Sequence, residues 1–367
     1  MTDTTVLVAG AGPTGLAAAL ALNARNIPVT LIDPVITRSP FSKALAFNPR
    51  SQTLLSDCGV TEAIRTEARE ISGLRFHNQG RLLIAIDFNT LISPPNTMLV
   101  LPQARTEALM EQALTQRGIA VQRGQTLVDA HQQDEQVVCT VQAQDGTTTR
   151  MTARYLIGAD GAHSRVRSLT GQDFPGDALD REWLLADLQI DEACWRDARF
   201  DKANLFREAN RFVFVLPVSP GLIRLVSDDL TLLGTLPEFV QQAQPGEVVW
   251  ESRFRVSHRQ VNHYRHGHIF LAGDAAHIHS PVGGRGMNMG IEDAFCLADC
   301  IATGKLDDYH RLRHAYGRRA IRMIRAQTRF ATRHDPLTRF GIRMIAGPLS
   351  RLKLFQRAFA ERNLGFR

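Results

Sequence analysis

The fold is decided near the start of the chain, where residues 6–15 read Val6-Leu7-Val8-Ala9-Gly10-Ala11-Gly12-Pro13-Thr14-Gly15. An apolar run of β type leads into a G-x-G-x-x-G turn, and an Ala/Leu-rich segment of helical character follows over residues 16–25. A second apolar run covers residues 29–32 and ends at Asp33. This order of elements predicts a β-α-β unit.

Each of the three positions in the turn favours glycine for a physical reason. Gly10 permits a tight turn, Gly12 lets the backbone approach a pyrophosphate, and Gly15 lets the helix pack closely on the strand. The helix N-terminus then offers unpaired N–H groups and the positive end of its dipole to phosphate. Asp33 lies 18 positions after Gly15, about where a ribose hydroxyl needs an acceptor. The segment therefore predicts dinucleotide binding.

Residues 4–23 carry no charged side chain, so this stretch also resembles a membrane span or a signal peptide. Three glycines and Pro13 in its middle are unfavourable in a span, and no basic segment precedes it as in a signal peptide. We therefore expect no stable membrane insertion.

The composition is that of an ordinary globular protein, with 44% hydrophobic and 22% charged residues. A chain of 367 residues accommodates two domains, or one large domain with an insertion. The five cysteines contain no C-x-x-C pair, which disfavours a disulfide framework or a zinc site and favours the cytoplasm. Histidines such as His277 and His279 lack completing ligands, so we expect no bound metal.

The net charge of +6 is concentrated in residues 305–367, which contain 16 Lys and Arg against four Asp and Glu. Asp335-Pro336 and Gly347-Pro348 divide this region into three helical pieces. Two explanations are open, an anionic partner or a solvated helix face, and the second is favoured; no nucleic acid is expected. Helical spacing separates an arginine face from an apolar face: Arg318, Arg322, Arg325, Arg329 and Arg333 against Ala320, Ile321, Ile324 and Ala331.

Periodicity and turn residues predict the remaining elements. Helices are expected over 48–58, 103–117 and 286–303, a hairpin over 74–88 that turns at Gln79-Gly80, and short antiparallel strands over 119–150. Further strands are expected over 154–159, 183–190, 212–216, 222–227, 248–256 and 268–272. The strands between residues 177 and 268 predict a mainly antiparallel sheet inserted into the dinucleotide-binding fold.

Two further motifs follow apolar strands. Residues 158–167 read GADGAHSRVR, and residues 273–277 read GDAAH, continued over 281–294 as PVGGRGMNMGIEDA. With the glycine turn, they resemble the single-component FAD-dependent aromatic hydroxylases, the group A flavoprotein monooxygenases similar to 4-hydroxybenzoate hydroxylase. The resemblance covers roughly residues 1–70, 100–175 and 255–305.

The resemblance implies an α/β fold with a Rossmann-like FAD-binding domain, an inserted mainly antiparallel β-sheet substrate domain and a helical C-terminal tail. The expected bounds are 1–72, 101–176 and 263–304 for the FAD-binding domain, 73–100 and 177–262 for the substrate-binding sheet domain, and 305–367 for the tail. The thioredoxin-like domain of larger phenol hydroxylases is not expected. Residues 212–217 read FVFVLP, unlike the W-x-W-x-I-P motif of flavin-dependent halogenases.

The resemblance also implies non-covalent FAD, held at both of its ends. The glycine turn meets the pyrophosphate and adenosine, Asp274 meets the ribityl or pyrophosphate region, and the segment around Met287 meets the isoalloxazine. Lys43 and Gln103 lie where the family contacts phosphate, although both also suit an ordinary surface. The expected cofactor-binding residues are Gly10, Gly12, Pro13, Thr14, Gly15, Asp33, Lys43, Gln103, Asp160, Gly161, Gly273, Asp274, Gly286, Met287 and Asn288.

For the reaction, the resemblance implies reduction of FAD by NADH or NADPH, reaction with dioxygen, and hydroxylation of an aromatic or similarly activated ring by a flavin C4a-hydroperoxide. The protein orients a small aromatic substrate and excludes water, so no protein nucleophile is expected. Asp160, Gly161 and Arg165 are the candidates for contact with the nicotinamide donor. Asp160 and Arg167 equally suit a structural pair at a turn.

The inserted sheet supplies the candidate substrate residues Phe212, Phe214, Leu216 and Arg224, of which the first three alternate along one strand. Arg285 stands among three glycines, where a cation beside the isoalloxazine would favour the anionic reduced flavin. Alternatively, the Arg285 side chain points outward and forms an ion pair with an Asp or Glu of a neighbouring segment. The family commonly has Gln at the Arg285 position, although 4-hydroxybenzoate hydroxylase has Lys.

Two other functions remain open. An FAD-dependent reductase or dehydrogenase would share the FAD-binding motifs without hydroxylating its substrate. A basic anion-binding protein that keeps a flavin only for structure would account for the arginine-rich tail.

Overall fold

The structure is a computed structural model that describes residues 2–41, 44–91, 97–196, 200–208, 210–333 and 352–363. None of the described helices is both long and apolar enough to cross a membrane. The α-helices of these residues are α1 (Pro13–Asn23), α2 (Pro49–Ser56), α3 (Thr61–Glu67), α4 (Phe88–Leu91), α5 (Gln103–Thr115), α6 (Arg165–Leu169), α7 (Glu238–Gln241), α8 (Gly286–Thr303), α9 (Leu306–Thr332) and α10 (Lys353–Asn363).

The strands form three sheets. They are β1 (Thr2–Ala9), β2 (Val29–Asp33), β3 (Ala46–Phe47), β4 (Arg69–Ile71), β5 (Gly73–Asn78), β6 (Arg81–Asp87), β7 (Met98–Val100), β8 (Val121–Arg123), β9 (Gln125–Gln133), β10 (Gln136–Ala143), β11 (Thr148–Gly158), β12 (Gly176–Gln189), β13 (Ala203–Arg207), β14 (Phe212–Ser219), β15 (Leu222–Ser227), β16 (Val248–Gln260), β17 (Arg265–His266), β18 (Ile269–Leu271) and β19 (His277–Ile278).

The first sheet contains the β-α-β unit. Its parallel strands run in the order β18-β11-β1-β2-β8, with β17 antiparallel at one edge and β10 and β9 as an antiparallel extension of β11. Helix α1 is buried from Gly15 to Leu22 because its Ala and Leu side chains pack on all sides, against α8 and α5 among others. The predicted β-α-β unit and Rossmann-like α/β class are confirmed.

The second sheet runs in the order β19-β16-β12-β15-β14-β13-β5-β6. All neighbours are antiparallel except β13 and β5, which are parallel. The predicted mainly antiparallel sheet is confirmed, and it takes strands from residues 73–87 as well as 176–260. The exact domain bounds stay a prediction. The third sheet is small and antiparallel, with the strand order β3-β7-β4.

Some local predictions need correction. Helix α8 has its predicted bounds and ends at Gly304, whose φ of 70° is the left-handed C-cap conformation. The hairpin of β5 and β6 turns at Gln79 and Gly80 as predicted. The antiparallel prediction for residues 119–150 is wrong for β8, which pairs in parallel with β2. Three residues are too few for periodicity to show the direction of a strand.

The C-terminal helices reach both large sheets. Helix α9 packs on α8 and then on β16, and its Ala331 joins a buried cluster with Trp183 of β12. Ala360 of α10 packs with Ile86 and Phe88 beside β6. The predicted amphipathic pattern is confirmed for most of its residues: Ala320, Ile324 and Ala331 are buried, whereas Arg318, Arg322, Arg329 and Arg333 are exposed. Ile321 and Arg325 are half-buried. Asp335, Pro336, Gly347 and Pro348 lie outside the described residues.

Candidate active site

A cavity of about 740 Å³ lies between the first and second sheets. Its lining runs from the glycine turn at the start of α1, past the N-terminus of α8, to the aromatic face of β14. The predicted site residues along this lining are Gly12, Pro13, Thr14, Gln103, Gly161, Asp274, Arg285, Gly286, Met287, Phe212, Phe214, Leu216 and Arg224. Gly10, Gly15, Asp33, Asp160, Gly273 and Asn288 lie behind this lining, and Lys43 lies outside the described residues.

The glycine turn is shaped by close backbone approach. Gly10 has a φ of 102°, and a Cβ there would overlap the carbonyl of Ala159, the residue that follows strand β11. A Cβ on Gly15 would overlap the carbonyl oxygen of Gly10. By contrast, a Cβ on Gly12 would meet nothing within 4 Å, so the backbone there faces open space. At Gly286 a Cβ would have a single neighbour, Cε1 of His279 at 3.9 Å, so the backbone there is almost as open.

Asp33 supports the turn from behind. Its Oδ2 accepts a hydrogen bond from the Ala11 N–H at 2.6 Å, and its Oδ1 accepts one from the Val35 N–H at 2.8 Å. The guanidinium of Arg123 lies 4.0 Å from the same carboxylate. Asp33 therefore fixes the backbone of the glycine turn, a role that the sequence did not predict.

Thr14 joins the two helices that meet at the cavity. A Cβ on either Gly273 or Gly290 would overlap the Thr14 hydroxyl, so both glycines leave room for this side chain. Gly273 also has a φ of 60°. Thr14 thereby sets the approach of α1 to α8 and to the Gly273 turn, and glycine is required at both positions of its contact.

Asn288 holds three segments together at the start of α8. Its Nδ2 donates to the carbonyl oxygens of Ala46 and Gly284, both at 2.9 Å, and its Oδ1 accepts from the Asn48 N–H at 2.9 Å. With 1% of its surface exposed, the side chain is part of the framework. It keeps β3 and the glycine loop before α8 in contact with one another.

Asp160 makes its hydrogen bonds at the start of α6 and not with Arg167, the pair that the structural alternative expected. It accepts hydrogen bonds from the Ser164 hydroxyl at 2.5 Å and from the Val166 N–H at 3.0 Å, at the start of α6. Arg167 donates to the carbonyl oxygens of Ala162 and Ala275 at 2.8 and 3.0 Å. The second motif is thus joined to the GDAAH turn through Arg167.

A buried ionic cluster lies beneath the GDAAH turn. Asp293 of α8 accepts from the Gly273 N–H at 3.1 Å, and its Oδ2 lies 2.7 Å from His277 Nε2. Arg313 of α9 donates to Asp293 Oδ1 at 2.6 Å and to Glu292 Oε2 at 3.2 Å. Burial opposes ionisation of Asp293, but the charges of Arg313 and His277 prevail and lower its pKa.

Arg285 is 2% exposed, so it does not point outward. It is the N-cap residue of α8, and its Nη2 donates to the hydroxyl of Tyr316 at 2.7 Å. Arg313 stacks over the Tyr316 ring, with 4.4 Å between the guanidinium carbon and the ring centroid. Burial first, and then the charge of Glu292, raises the pKa of Tyr316, which stays protonated at neutral pH. Helix α9 therefore positions the cation in the cavity wall.

The second sheet supplies an aromatic wall. Trp183 and Phe254 line the cavity together with Phe212 and Phe214, and the Trp183 and Phe212 rings lie 5.9 Å apart. Arg224 donates twice to the Asp187 carboxylate, at 2.6 and 2.7 Å. Since the partner charge is buried beside it, Arg224 contributes a compensated ion pair to the wall.

Two polar side chains of the cavity lining, His279 and Gln103, are oriented by hydrogen bonds. Nδ1 of His279 lies 2.9 Å from the Ser280 carbonyl oxygen and so carries the hydrogen, and burial lowers the pKa of this ring to about 4. Gln103 donates to Glu107 Oε1 at 2.7 Å, and burial raises the pKa of Glu107. His279 is therefore neutral at physiological pH.

The site fits FAD. Two glycine backbones, at Gly12 and Gly286, face open space at points along one continuous cavity, and each stands at the N-terminus of a helix. Such positions bind anionic groups through free N–H donors and the helix dipole. FAD has a pyrophosphate in its middle and an isoalloxazine that becomes anionic on reduction, which matches this pair of positions.

Comparisons with known proteins agree with this geometry. The family model described as "FAD binding domain" matches residues 3–229 and 233–324. The chain is 34% identical over 309 residues to 6-methylpretetramide 4-monooxygenase of Streptomyces rimosus, which covers 80% of the chain and 54% of that relative. It is 33% identical over 350 residues to rifampicin monooxygenase of Streptomyces venezuelae, covering 88% of the chain and 70% of that relative. The chain thus spans about half to seven-tenths of the length of these relatives.

Solved structures share the fold. That of p-nitrophenol 4-monooxygenase from Pseudomonas putida superposes with a TM-score of 0.88 at 23% identity and covers 99% of both chains. An anhydrotetracycline hydroxylase from Streptomyces rimosus gives a TM-score of 0.79 at 28% identity, covering 99% of this chain and 76% of its own. The chain therefore belongs to the FAD-binding domain family, and its predicted resemblance to FAD-dependent aromatic hydroxylases is confirmed. FAD is the cofactor of this family.

Proposed function

We propose that the protein is an FAD-dependent monooxygenase that uses NADH or NADPH and dioxygen to hydroxylate an aromatic ring. One observation carries this proposal: a single cavity joins the two open glycine backbones at the helix N-termini to a wall of aromatic side chains. The names of its relatives, among them a pentachlorophenol 4-monooxygenase of Sphingobium chlorophenolicum, support an aromatic substrate.

The cofactor residues divide by position. The backbone at Gly12, Pro13 and Thr14 would hold the pyrophosphate at the N-terminus of α1, and Asp274 would meet the neighbouring part of the cofactor. The N–H groups of Gly286 and Met287 at the N-terminus of α8 would face the isoalloxazine. Bound FAD would accept a hydride from the nicotinamide donor and activate dioxygen.

The remaining predicted cofactor residues act through the framework. Asp33, Asn288 and Gly273 shape the backbone that meets the cofactor, through the hydrogen bonds and close contacts described above. Arg285 would stabilise negative charge on the reduced cofactor, because a buried cation is screened less than an exposed one. Gly161 lines the cavity and is our candidate for contact with the nicotinamide donor.

The substrate would lie against Phe212, Phe214 and Leu216, whose packed side chains exclude water from the reacting ring. We also propose the domain division at residues 1–72, 101–176 and 263–304 against 73–100 and 177–262, supported by the membership of the two large sheets. The five cysteines, all unpaired, favour a cytoplasmic location.

Substrate-stimulated oxidation of the nicotinamide donor tests the proposal. The purified protein should be yellow and should release free FAD on denaturation. NADH or NADPH should bleach the flavin anaerobically, and a panel of phenols, including p-nitrophenol and anhydrotetracycline, should contain a compound that accelerates aerobic oxidation of the donor. A flavin that neither nucleotide reduces, together with tight salt-sensitive polyanion binding, would favour the basic anion-binding alternative instead.

A further inference from the structure

A second cavity, of about 490 Å³, is a groove on the outer face of the C-terminal half of α9. The groove is lined by Arg322, Arg325, Ala326, Arg329, Phe330 and Arg333. The cavity between the sheets lies on the other side of the same helix, where Gln327, Phe330 and Ala331 form part of its wall. One turn of helix thus separates a basic surface from an apolar interior.

The groove is positively charged. Arg322 and Arg329 are exposed, and Arg325 is half-buried and paired with Asp177. Among the described residues, Arg329 makes no side-chain hydrogen bond or ion pair, and Arg322 reaches the carbonyl oxygen of Arg318 in its own helix at 3.4 Å. Two of these three guanidinium groups therefore have no carboxylate beside them in the described part of the chain.

Phe330 belongs to both cavities. It is 43% exposed, and it lines both the groove and the interior. Its ring lies 6.4 Å from the ring of Phe76 on β5, at an interplanar angle of 36°. Phe76 also lines the interior cavity. Phe330 therefore stands at the boundary between the two spaces, with Phe76 beside it.

We propose that the groove is the entrance for an anionic aromatic substrate, such as a phenolate or an aromatic carboxylate, and that Phe330 and Phe76 form its gate. The inference rests on the proposed monooxygenase function and adds the charge of the substrate. Clustered cations beside a low-dielectric wall raise association rates of anions by about 10- to 1000-fold. Ala331, the neighbour of Phe330, packs with Trp183 and Phe212 of the aromatic wall, which favours substrate over the nicotinamide donor as the occupant.

The test compares two probes that differ in charge. 8-Anilinonaphthalene-1-sulfonate is an aromatic anion, and N-phenyl-1-naphthylamine is its neutral counterpart. Stopped-flow fluorescence of the FAD-loaded protein would give the association rate of each probe at low ionic strength. The double variant Arg322→Gln/Arg329→Gln should slow the anion about tenfold, in keeping with electrostatic steering, and should leave the neutral probe unchanged.

A matched control removes the same charge from the same helix. Arg318 and Arg319 are exposed and lie outside the groove, so Arg318→Gln/Arg319→Gln should slow the anion less than twofold. If both double variants slow the anion equally, the proposed entrance is refuted. The effect would then come from the net charge of the protein and not from the groove. If Arg322→Gln/Arg329→Gln weakens NADPH binding but leaves the association rate of the anion unchanged, the proposal is also refuted. The groove would then bind the nicotinamide donor.

A further substitution tests the gate separately from the charge of the groove. Phe330→Ala should accelerate entry of both probes, because it opens the wall without changing charge. Unchanged rates in Phe330→Ala would place the entrance elsewhere. These measurements need no turnover, so their failure is distinct from failure of the monooxygenase function, which oxygen incorporation tests.

Discussion

Replacement of Arg313 by Leu tests how the C-terminal helix supports the cofactor turn. The guanidinium lies 2.6 Å from Asp293 and 3.2 Å from Glu292, and it also donates to the Met289 carbonyl oxygen at 3.2 Å. Asp293 is 1% exposed and holds the Gly273 N–H. The variant leaves this carboxylate buried with His277 as its remaining ionisable partner among the residues described above.

The expected cost is large because one partner of a buried pair is removed and the other stays. Breaking such a pair costs about 3–5 kcal/mol of unfolding free energy. The control Arg311→Leu removes an exposed arginine whose pair with Asp308 lies at the surface, with 69% of the Arg311 side chain exposed. That change should cost at most about 1 kcal/mol.

Urea unfolding of the FAD-loaded proteins would measure both variants. We expect Arg313→Leu to lose at least about 2 kcal/mol more unfolding free energy than Arg311→Leu and to release FAD more readily, since the Gly273 turn loses its support. A double-mutant cycle with Asp293→Asn isolates the pair. A loss no larger than that of the control, or no coupling in the cycle, would refute the role of this cluster.

The stability that Arg313 contributes should depend on pH through the ionisation of Asp293. The folded pKa of Asp293 is lowered, so Arg313 contributes stability above the unfolded pKa of about 3.9, and this contribution is lost as pH falls through the folded pKa. The stability difference between the parent and Arg313→Leu should therefore be full at neutral pH. It should shrink as the pH falls below about 4.

Three further predictions concern the cavity. Asp274→Ala should raise the dissociation constant for FAD, measured by fluorescence titration; an unchanged constant would remove Asp274 from the site. Arg285→Gln should keep FAD but lower its midpoint potential by tens of millivolts, since about 30 mV corresponds to 1.4 kcal/mol for two electrons; an unchanged potential and reduction rate would place Arg285 away from the isoalloxazine. His279→Gln should leave the pH profile of turnover unchanged between about pH 6 and 8, because the pKa of His279 is about 4 and the ring is neutral throughout.

The features that could be predicted from the sequence are those that depend on local sequence patterns. The β-α-β unit, the bounds of α8 and the hairpin at Gln79 and Gly80 follow from glycine positions and hydrophobic period, both of which are local. The alternation of Phe212, Phe214 and Leu216 also predicted that they share a side, and the structure places all three on the cavity.

The sequence did not predict contacts between distant segments. Asp293 and Arg313 lie on successive helices, and neither belongs to a recognisable local pair, so the buried cluster appears only when α8 and α9 pack together. The contact of Tyr316 with Arg285 has the same origin. For Asp33, the motif predicted a ribose acceptor, whereas the Ala11 N–H already uses one carboxylate oxygen within the glycine turn.

Oxygen-18 labelling tests the central claim most directly. The FAD-loaded protein would be incubated with NADH or NADPH, ¹⁸O₂ and the phenol that most stimulates donor oxidation, and the product would be analysed by mass spectrometry. Monooxygenation predicts one oxygen-18 atom in each product molecule, and none when ¹⁸O is supplied only as water. A product without label, formed while the nicotinamide donor is consumed, would contradict hydroxylation and establish a reductase or dehydrogenase.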